Sequence, residues 1–492
     1  MPSRYFQCLP KGATNTYQAI SFNLMTSHKP SDAVQLRRPG LTLAVIAIAY
    51  LFLVVDGSIA IVSLPNIQHE LGFTAAGLSW VQNAYTLAFG GLLLLGARLG
   101  DLLGRLRMFR LGLIGFMIAS ALVGIAPTAG LLIGGRILQG LAGAILGPST
   151  LALLSTSFPV NPARARAMAV YGSITGIGTS VGLVLGGFIT ATTSWRWAFL
   201  INVPIGIGLL IASRYALTET VRHRVRLDFG GAATSVVAMS SIVYSLVLAA
   251  ENGWTDPMVW AWLVLGIAVG WAFVTIEKRN PAPLLPLRLL AHRKRSGANL
   301  ARALFVGSMA AFWFYVSQYL QVVKGLNALQ TGLAFLPMTL ASFGIAFLVP
   351  RLSARFGEEP FLIGGLATVA VGTFWLSFLS PGGSYFSTVA LPMILVGLGQ
   401  GASTIRLTSA GMSGVAPEDS GAASGIVSTA VQVGSALGLS VLLAAAAGSV
   451  PATHGLTAAT VDAQAHVALT GGAILCALAF ASVVLFVRPR RS

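Results

Sequence analysis

Two ionisable side chains stand in stretches that are otherwise apolar enough to cross a bilayer. Asp56 lies in the run from Leu41 to Leu64, and Arg136 lies in a later run that begins near Leu131. At 1.5 Å per residue, both side chains are expected about 10–12 Å below the same membrane surface. A carboxylate in hydrocarbon costs roughly 2.5 kcal/mol or more, so it usually faces a protein interior. The two residues therefore predict a direct or water-linked ion pair that can exchange a proton.

Such a carboxyl group can couple proton movement to other work. Burial favours the neutral acid and a nearby cation favours the carboxylate, so a change in water access would make Asp56 bind or release a proton. One proton moving down roughly 150 mV supplies about 3.5 kcal/mol, enough for about a 300-fold substrate gradient. Two structural alternatives stay open. Asp56 could only bond to backbone beside Gly57, and Arg136 could snorkel or bind carbonyls. We expect Asp56 to be the only acidic residue well inside an apolar run.

The composition indicates the elements that position this pair. The chain is 55% hydrophobic and 9% charged, whereas a soluble domain is about 25% charged. Apolar windows of about 20 residues, each long enough to span a bilayer as a helix, recur along the chain. We count fourteen, centred near residues 52, 88, 118, 142, 178, 207, 239, 267, 308, 341, 370, 400, 433 and 477. The predicted fold is an all-α membrane protein with fourteen transmembrane helices.

The net charge of +17 follows from topology. Basic residues crowd every second connection, while the alternate loops hold only Arg196 and Lys324. The positive-inside rule then predicts a multi-pass protein of the cell membrane with both termini in the cytoplasm. No nucleic-acid partner is needed to explain the excess. The basic connections contain Arg98, Arg105, Arg107, Arg110, Arg164, Arg166, Arg222, Arg224, Arg226, Lys278, Arg279, Arg288, Arg293, Lys294, Arg295, Arg351 and Arg355.

Motifs of other function classes are missing from the sequence. It contains no Gly-Lys-Ser/Thr phosphate loop and no histidine–cysteine cluster for a metal. Its six histidines are expected in tails or loops, and Cys8 and Cys476 make no disulfide framework. We therefore expect no enzyme activity, no metal and no cofactor. The expected partners are the lipid bilayer, protons and a small substrate.

An internal repeat predicts two halves. RLGDLLGR at 98–105 matches RLSARFGE at 351–358, and VGLVLGG at 181–187 matches VGSALGLS at 433–440. A looser match joins LQGLAGA at 138–144 to LGQGAST at 398–404. All three are offset by eight spans, so spans 1–6 correspond to spans 9–14, as in parallel-repeat transporters. The predicted units are a disordered cytoplasmic tail (1–40), a six-helix half (41–217), two inserted central helices (227–278), a cytoplasmic linker (279–297) and a second six-helix half (298–488).

Five segments together resemble the major facilitator superfamily, in its fourteen-span drug:proton antiporter branch. They are VVDGSIAIVSLPNI in span 1, GARLGDLLGRLR after span 2, GGRILQGLAGA in span 4, VGLVLGG in span 5 and WRWAFLINVPIG entering span 6. The resemblance implies a secondary carrier that exports hydrophobic drugs or antibiotics in exchange for protons by alternating access, acting as a monomer. Proton-coupled uptake of a small solute and a transport-inactive receptor or scaffold remain alternatives.

The resemblance also assigns roles to residues of each motif. Asp56 and Arg136 would couple protons. Asp101 can bond to a helix N-terminus and pair with arginine, and the family uses this turn as a cytoplasmic gate that latches the halves together in the outward-facing state. The gate residues are Gly100, Asp101, Gly104 and Arg105; the helix-packing residues are Gln139, Gly140, Gly178, Gly182, Gly186 and Gly187. Leu183 replaces the proline of the antiporter motif, and Ala354 stands where the second copy would carry the Asp101 carboxylate.

Substrate contacts are the least specified part of the prediction. Phe312, Trp313, Phe314 and Tyr315 are consecutive, so some of them are expected to face lipid. An apolar cavity with few polar groups would suit a bulky lipophilic substrate. The candidate cavity residues are Asn83, Tyr85, Trp313, Gln318 and Gln321, with packing or interface anchoring as the alternative for the aromatic ones.

Overall fold

The computed structural model describes residues 39–487, except 75, 159–161, 220–227, 281–282, 284, 286, 416–419 and 450–456. The predicted tail therefore lies almost wholly outside the described residues, as do Cys8, Arg222, Arg224 and Arg226. The side chains of Arg164 and Arg166 also lie outside the described part of the structure. Within the described residues the fold is entirely helical, without a strand.

The helices follow one another through short connections. Their bounds are α1 Pro39–Leu71, α2 Trp80–Leu103, α3 Arg105–Gly124, α4 Ala129–Ser157, α5 Pro162–Thr192, α6 Trp195–Leu200, α7 Asn202–Ala216, α8 Phe229–Asn252, α9 Pro257–Arg279, α10 Arg293–Gln318, α11 Ala328–Ala334, α12 Leu336–Phe356, α13 Glu359–Leu376, α14 Leu391–Gly411, α15 Ser420–Ser449 and α16 Ala458–Ser482. A turn of π-helix continues α10 and α16 and precedes α14.

Thirteen segments of the described chain are long and apolar enough to cross a membrane. Two of them combine consecutive short helices: α6 with α7, and α11 with α12. The fifth predicted span falls on α5, whose apolar part in the described residues is Gly178–Thr192. The protein is thus a multi-pass membrane protein, and its exact span number of fourteen stays a prediction.

The two halves repeat the same helix packing. In the first half α1 packs on α5, and α4 packs on both α2 and α3. In the second half α10 packs on α15, and α14 packs on both α12 and α13. The equivalent helices are separated by the eight-span offset of the sequence repeat. The inserted helices lie beside them, with α8 packed on α2 and α15, and α9 packed along α8.

The bundle has two ends. We call the end that carries Arg105, Lys278, Arg293 and Arg355 the basic end, and the opposite one the far end. The halves touch directly at the far end. There, Ser317 Oγ donates to Ile61 O at 3.1 Å, which joins α10 to α1. A β-carbon on Gly187 would lie 2.4 Å from Ala328 O, so α5 and α11 are in backbone contact.

Glu277 is a buried acid at the C-terminal end of α9, and Asp462 is a half-buried acid in the first turns of α16, so neither lies well inside an apolar run as Asp56 does. Two sequence expectations are wrong in detail. His466 also lies in α16, where its ring contacts Ser377 O and sits 3.6 Å from Asp462. His466 was not predicted in a helix because it falls in the first turns of α16, before its most apolar window.

The aromatic run on α10 is the second correction. Phe312, Phe314 and Tyr315 are all buried, and Trp313 is half-buried against Phe335 with ring centroids 4.8 Å apart. Successive side chains do point in different directions, but α10 is surrounded by α14, α15 and α16, and touches α1 as well. A helix in the middle of the second half has protein on every side, so none of the three faces lipid.

Candidate functional site

Asp56 and Arg136 meet inside the first half. Nη1 of Arg136 donates to Oδ2 of Asp56 at 2.8 Å, and neither side chain is exposed at all. The two residues come from α1 and α4, 80 positions apart. Opposite charges at this distance in a poorly polar interior attract strongly, and each would be costly without the other. The arrangement is an ion pair held away from both lipid and bulk water.

Two carboxamides complete the contacts of the Asp56 carboxylate. Oδ1 accepts hydrogen bonds from Nδ2 of Asn202 at 2.8 Å and from Nε2 of Gln139 at 3.1 Å. Both amides also reach Oγ of Ser120, at 3.2 and 2.8 Å. The sequence had assigned Gln139 to helix packing, and it had not singled out Asn202 or Ser120. The carboxylate is therefore fully bonded by side chains from α4 and α7, which in turn share a contact on α3.

Arg136 is fixed by groups on α2. Its Nε donates to Val81 O at 2.8 Å, and the Tyr85 ring lies 4.5 Å from the guanidinium carbon, within cation–π range. Nη2 is buried and has no hydrogen-bond partner in the described residues. A buried donor without an acceptor is costly.

Local sequence explains why Asn202 reaches the carboxylate. The helix is interrupted at Ile201, between α6 and α7, and Asn202 is the first residue of α7. A side chain in the first helical turn is free to point inward rather than along the helix, and Pro204 suits this turn because the missing N–H would have no partner there. The sequence LINVPIG at 200–206 contains the proline that indicates a new helix start beside Asn202.

A glycine strip brings α5 against α1 at the level of the ion pair. A β-carbon on Gly178, Gly182 or Gly186 would lie within 2.7–2.8 Å of the side chains of Leu51, Ser58 and Ile59 respectively. Such distances leave no room for a methyl group, so the spacing of four serves close helix contact. Gly140 makes the same kind of contact between α4 and α2, 2.5 Å from Tyr85 O.

The gate turn is organised differently from the prediction. Asp101 pairs with Arg105 at 2.9 Å, but the helix N-terminus that follows is capped by Glu219 instead. The Glu219 carboxylate accepts from Leu106 N at 3.0 Å and Arg107 N at 3.1 Å. Gly104 has φ 106°, which allows the sharp turn. Gly100 is buried beside the turn, and Arg105 also reaches Ala152 O on α4. All these contacts lie within the first half.

The candidate cavity residues do not form one cluster. Asn83 donates to Ser440 Oγ at 3.1 Å between α2 and α15, and Gln321 donates to Val62 O at 3.1 Å between α10 and α1. These two join the halves. Tyr85 lies against Arg136, while Trp313 packs on Phe335. Gln318 is buried on α10.

Sequence reasoning missed two further cations in the helices of the second half, the half-buried Arg302 and the buried Arg406. Arg302 on α10 donates to Thr408 Oγ1 at 2.7 Å and to Thr404 O at 3.1 Å. Arg406 on α14 donates to Ala402 O at 3.1 Å. Both lie inside the apolar windows near 308 and 400, so the sequence alone could have indicated them as cations at membrane depth. Arginine at membrane depth is a functional-site indicator.

The similarity to known proteins matches this architecture. The sequence profile described as the Major Facilitator Superfamily covers residues 46–439. The chain belongs to this superfamily. A puromycin resistance protein, pur8, of Streptomyces alboniger is 39% identical over 86% of each chain. A cephamycin export protein, CmcT, of Amycolatopsis lactamdurans is 37% identical over 80% of this chain and 82% of its own.

More distant superfamily members support the same assignment. A multidrug efflux pump, LfrA, of Mycolicibacterium smegmatis is 31% identical over 84% of this chain and 82% of its own. Among solved structures, the peptide transporter POT in complex with sulfate superposes with a TM-score of 0.65, covering 91% of this chain and 96% of that one. Its sequence identity is 16%, so this likeness concerns the fold alone.

Proposed function

We propose that this superfamily member is a secondary carrier that exports lipophilic drugs or antibiotics in exchange for protons by alternating access. The observation that carries the proposal is the Asp56–Arg136 ion pair, wholly buried and cross-bonded by two amides. The relatives that resemble the chain along most of its length bear names of antibiotic resistance, antibiotic export and multidrug efflux. The ion pair supports proton coupling, and the names of the relatives favour export.

In this mechanism Asp56 carries the proton. Protonation removes its charge, so the attraction to Arg136 falls and the guanidinium is left with Val81 O, Gln139 Oε1 and the Tyr85 ring. Because α1, α4 and α7 all bond to this carboxyl group, a change in its charge alters the packing of three helices of one half. Loading and release of the proton would thus bias which end of the bundle is open. The proton gradient is the energy source, and no cofactor takes part.

Alternating access draws support from the contacts between the halves. At the far end, α1 meets α10 and α5 meets α11 through backbone atoms. In the proposed orientation the far end is external and both termini are cytoplasmic, because the basic end carries the arginine-rich connections. The Asp101–Arg105 turn would gate that cytoplasmic end. The substrate would bind between two halves at 41–217 and 298–488, in a fourteen-span monomer.

The test compares a proton-site variant with a matched surface variant. Cells expressing the full chain are loaded with a lipophilic fluorescent dye, and efflux is followed with and without a protonophore. We expect protonophore-sensitive efflux in wild type and loss of that efflux in Asp56→Asn. Asp256→Asn is the control, because Asp256 is a half-buried carboxylate that caps α9 just before the span begins. Efflux that survives both the protonophore and Asp56→Asn would reject the proposal.

A further inference from the structure

A cavity lies beside the junction of the halves, away from the ion pair. It has a volume of about 190 Å³ and is enclosed by α2, α8, α9 and α15. Thr86 and Leu94 bound it on α2, and Phe273 bounds it on α9. Leu285, just beyond α9, closes the basic end. The cavity therefore occupies the half of the membrane nearer the basic end and includes both inserted helices in its wall.

The cavity exists because three of its walls pack tightly and the fourth does not. A β-carbon on Gly90 would lie 2.2 Å from Gln432 Cβ, and one on Gly91 would lie 2.4 Å from Val236 Cγ2. These adjacent glycines therefore press α2 against α15 on one side and α8 on the other. Helix α9 packs chiefly along α8. The corner between α9 and the α2–α15 contact is left unfilled.

The outer wall is one helix thick. Gly270 and Phe273 line the cavity, whereas Ile267 and Trp271 on the same helix are 60% and 72% exposed. In a membrane-spanning helix those exposed apolar side chains face acyl chains. A molecule dissolved in the membrane is thus separated from the cavity only by α9, which has few other attachments.

The lining chemistry defines the ligand. Among the lining residues none is charged, and most offer only carbon. Four lining side chains are polar: Thr86, Ser235, Thr429 and Gln432. Ser235 Oγ donates to Ala232 O, whereas Thr429 Oγ1 is buried without a hydrogen-bond partner in the described residues. The Gln432 carboxamide lines the same cavity three residues after Thr429 on α15. Residues three apart on a helix share a face, so both polar groups point to the same wall. Thr429 and Gln432 thus offer one group of hydrogen-bond donors and acceptors in a cavity that is otherwise mostly apolar.

We propose that this cavity is a second binding site, distinct from the substrate site proposed between the halves, for neutral lipophilic molecules with a single hydrogen-bonding group. An apolar cavity of about 150 Å³ accommodates benzene, so about 190 Å³ suits one substituted ring or a segment of acyl chain ending in a hydroxyl or carbonyl. Gln432 and Thr429 bind the polar group, and the carbon walls bind the remainder. The ligand can come from the exported lipophiles or from membrane lipid.

The test uses a photoreactive ring alcohol, 4-[3-(trifluoromethyl)diazirin-3-yl]benzyl alcohol, with the purified full chain. Labelled peptides are identified by mass spectrometry at increasing probe concentration. We expect saturable labelling of residues on α8, α9 or α15 that line the cavity. Saturation in lipid-free micelles that disappears in lipid nanodiscs identifies lipid as the usual occupant. Saturation in both environments identifies a smaller lipophile.

Variants separate the cavity from general membrane partitioning. Gly270→Phe should place a ring in the cavity, and its β-carbon fits the present backbone because the nearest atom is Ala238 Cβ at 3.8 Å. It should reduce the saturable labelling at least fivefold. Gly208→Leu also adds a large side chain, in open space on α7, and should leave labelling unchanged. Gln432→Met keeps the length of the side chain but loses the hydrogen bonds, and should weaken probe affinity about fivefold.

Binding of the probe in the cavity should not depend on proton coupling. Asp56→Asn removes the proposed proton carrier but touches no cavity residue, so it should bind the probe as wild type does. The inference would be overturned by labelling that never saturates in either environment, or by saturable labelling that Gly270→Phe leaves intact. Loss of transport in Asp56→Asn with labelling preserved would support both proposals separately.

Discussion

Asn202 donates a hydrogen bond of 2.8 Å to Oδ1 of Asp56 across 146 residues of chain. The opposite oxygen is bound by Arg136, so the carboxylate is held from two sides by helices that belong to the same half. Proton binding to Asp56 must therefore disturb α1, α4 and α7 together. A carboxylate with one partner could lose it by a rotamer change alone, whereas this one cannot.

The first prediction concerns Asn202. In Asn202→Ala the carboxylate loses one of its two amide donors, so it is held less firmly beside Arg136. A hydrogen bond to a charged group contributes about 1.5 kcal/mol or more, so proton-driven dye exchange should fall about tenfold. Dye exchange in proteoliposomes at one fixed pH gradient is the measurement. Ser120→Ala, which loses contacts to Asn202 and Gln139 but none to Asp56, should reduce exchange less. Unchanged exchange in Asn202→Ala would contradict this role.

The sequence alone predicted the Asp56–Arg136 ion pair, but it did not predict which other residues bond to the pair. Equal depth in two apolar runs was enough to suggest that Asp56 and Arg136 meet. Which further side chains point at them depends on helix rotation and on the break at Ile201, and neither follows from hydropathy. Glu219 illustrates the same limit, because it caps α3 from 113 residues further along the chain. The eight-span repeat did anticipate the packing pattern, since similar sequences make similar helix contacts.

The second prediction separates stability from coupling. Removing one member of a buried ion pair leaves the other charge uncompensated and costs about 3–5 kcal/mol, whereas removing both is often neutral. Asp56→Asn and Arg136→Gln should each lower the thermal unfolding midpoint, and the double variant should recover most of the loss. None of the three should exchange substrate for protons. A double variant that recovers transport together with stability would show that the pair only supports the fold.

The third prediction tests the contact between α5 and α1. A methyl group in Gly182→Ala would lie 2.7 Å from Ser58 Cβ and 3.0 Å from Val55 O. Because a backbone atom is involved, the helices must separate, which should cost about 1–3 kcal/mol. Gly134→Ala, on α4, adds the same group where nothing lies within 4 Å and should be tolerated. The thermal unfolding midpoints of the two purified variants measure this difference. Equal midpoints would mean that the glycine strip of α5 is not tightly packed against α1.

The fourth prediction compares two acids at corresponding turns of the halves. Glu219 caps the N-terminus of α3 through two backbone N–H groups, while Glu358, before α13, makes no side-chain capping bond. Glu219→Ala should therefore reduce stability by about 1 kcal/mol, as for other lost helix caps, and Glu358→Ala should have little effect. The two unfolding midpoints are the measurement. Equal losses would indicate general surface electrostatics rather than capping.

The last prediction addresses movement of the halves. Ser317 on α10 bonds to Ile61 O on α1 across the junction, and Ser63 on the same helix α1 bonds to Thr190 on α5 within one half, also at 3.1 Å. In a chain with Cys8 and Cys476 replaced by alanine, a disulfide between Ile61→Cys and Ser317→Cys should stop exchange until it is reduced. A disulfide between Ser63→Cys and Thr190→Cys should leave exchange intact, because α1 and α5 are expected to move together. If both links are tolerated, opening at the far end is not part of the cycle; if both block transport, the halves do not move as rigid units.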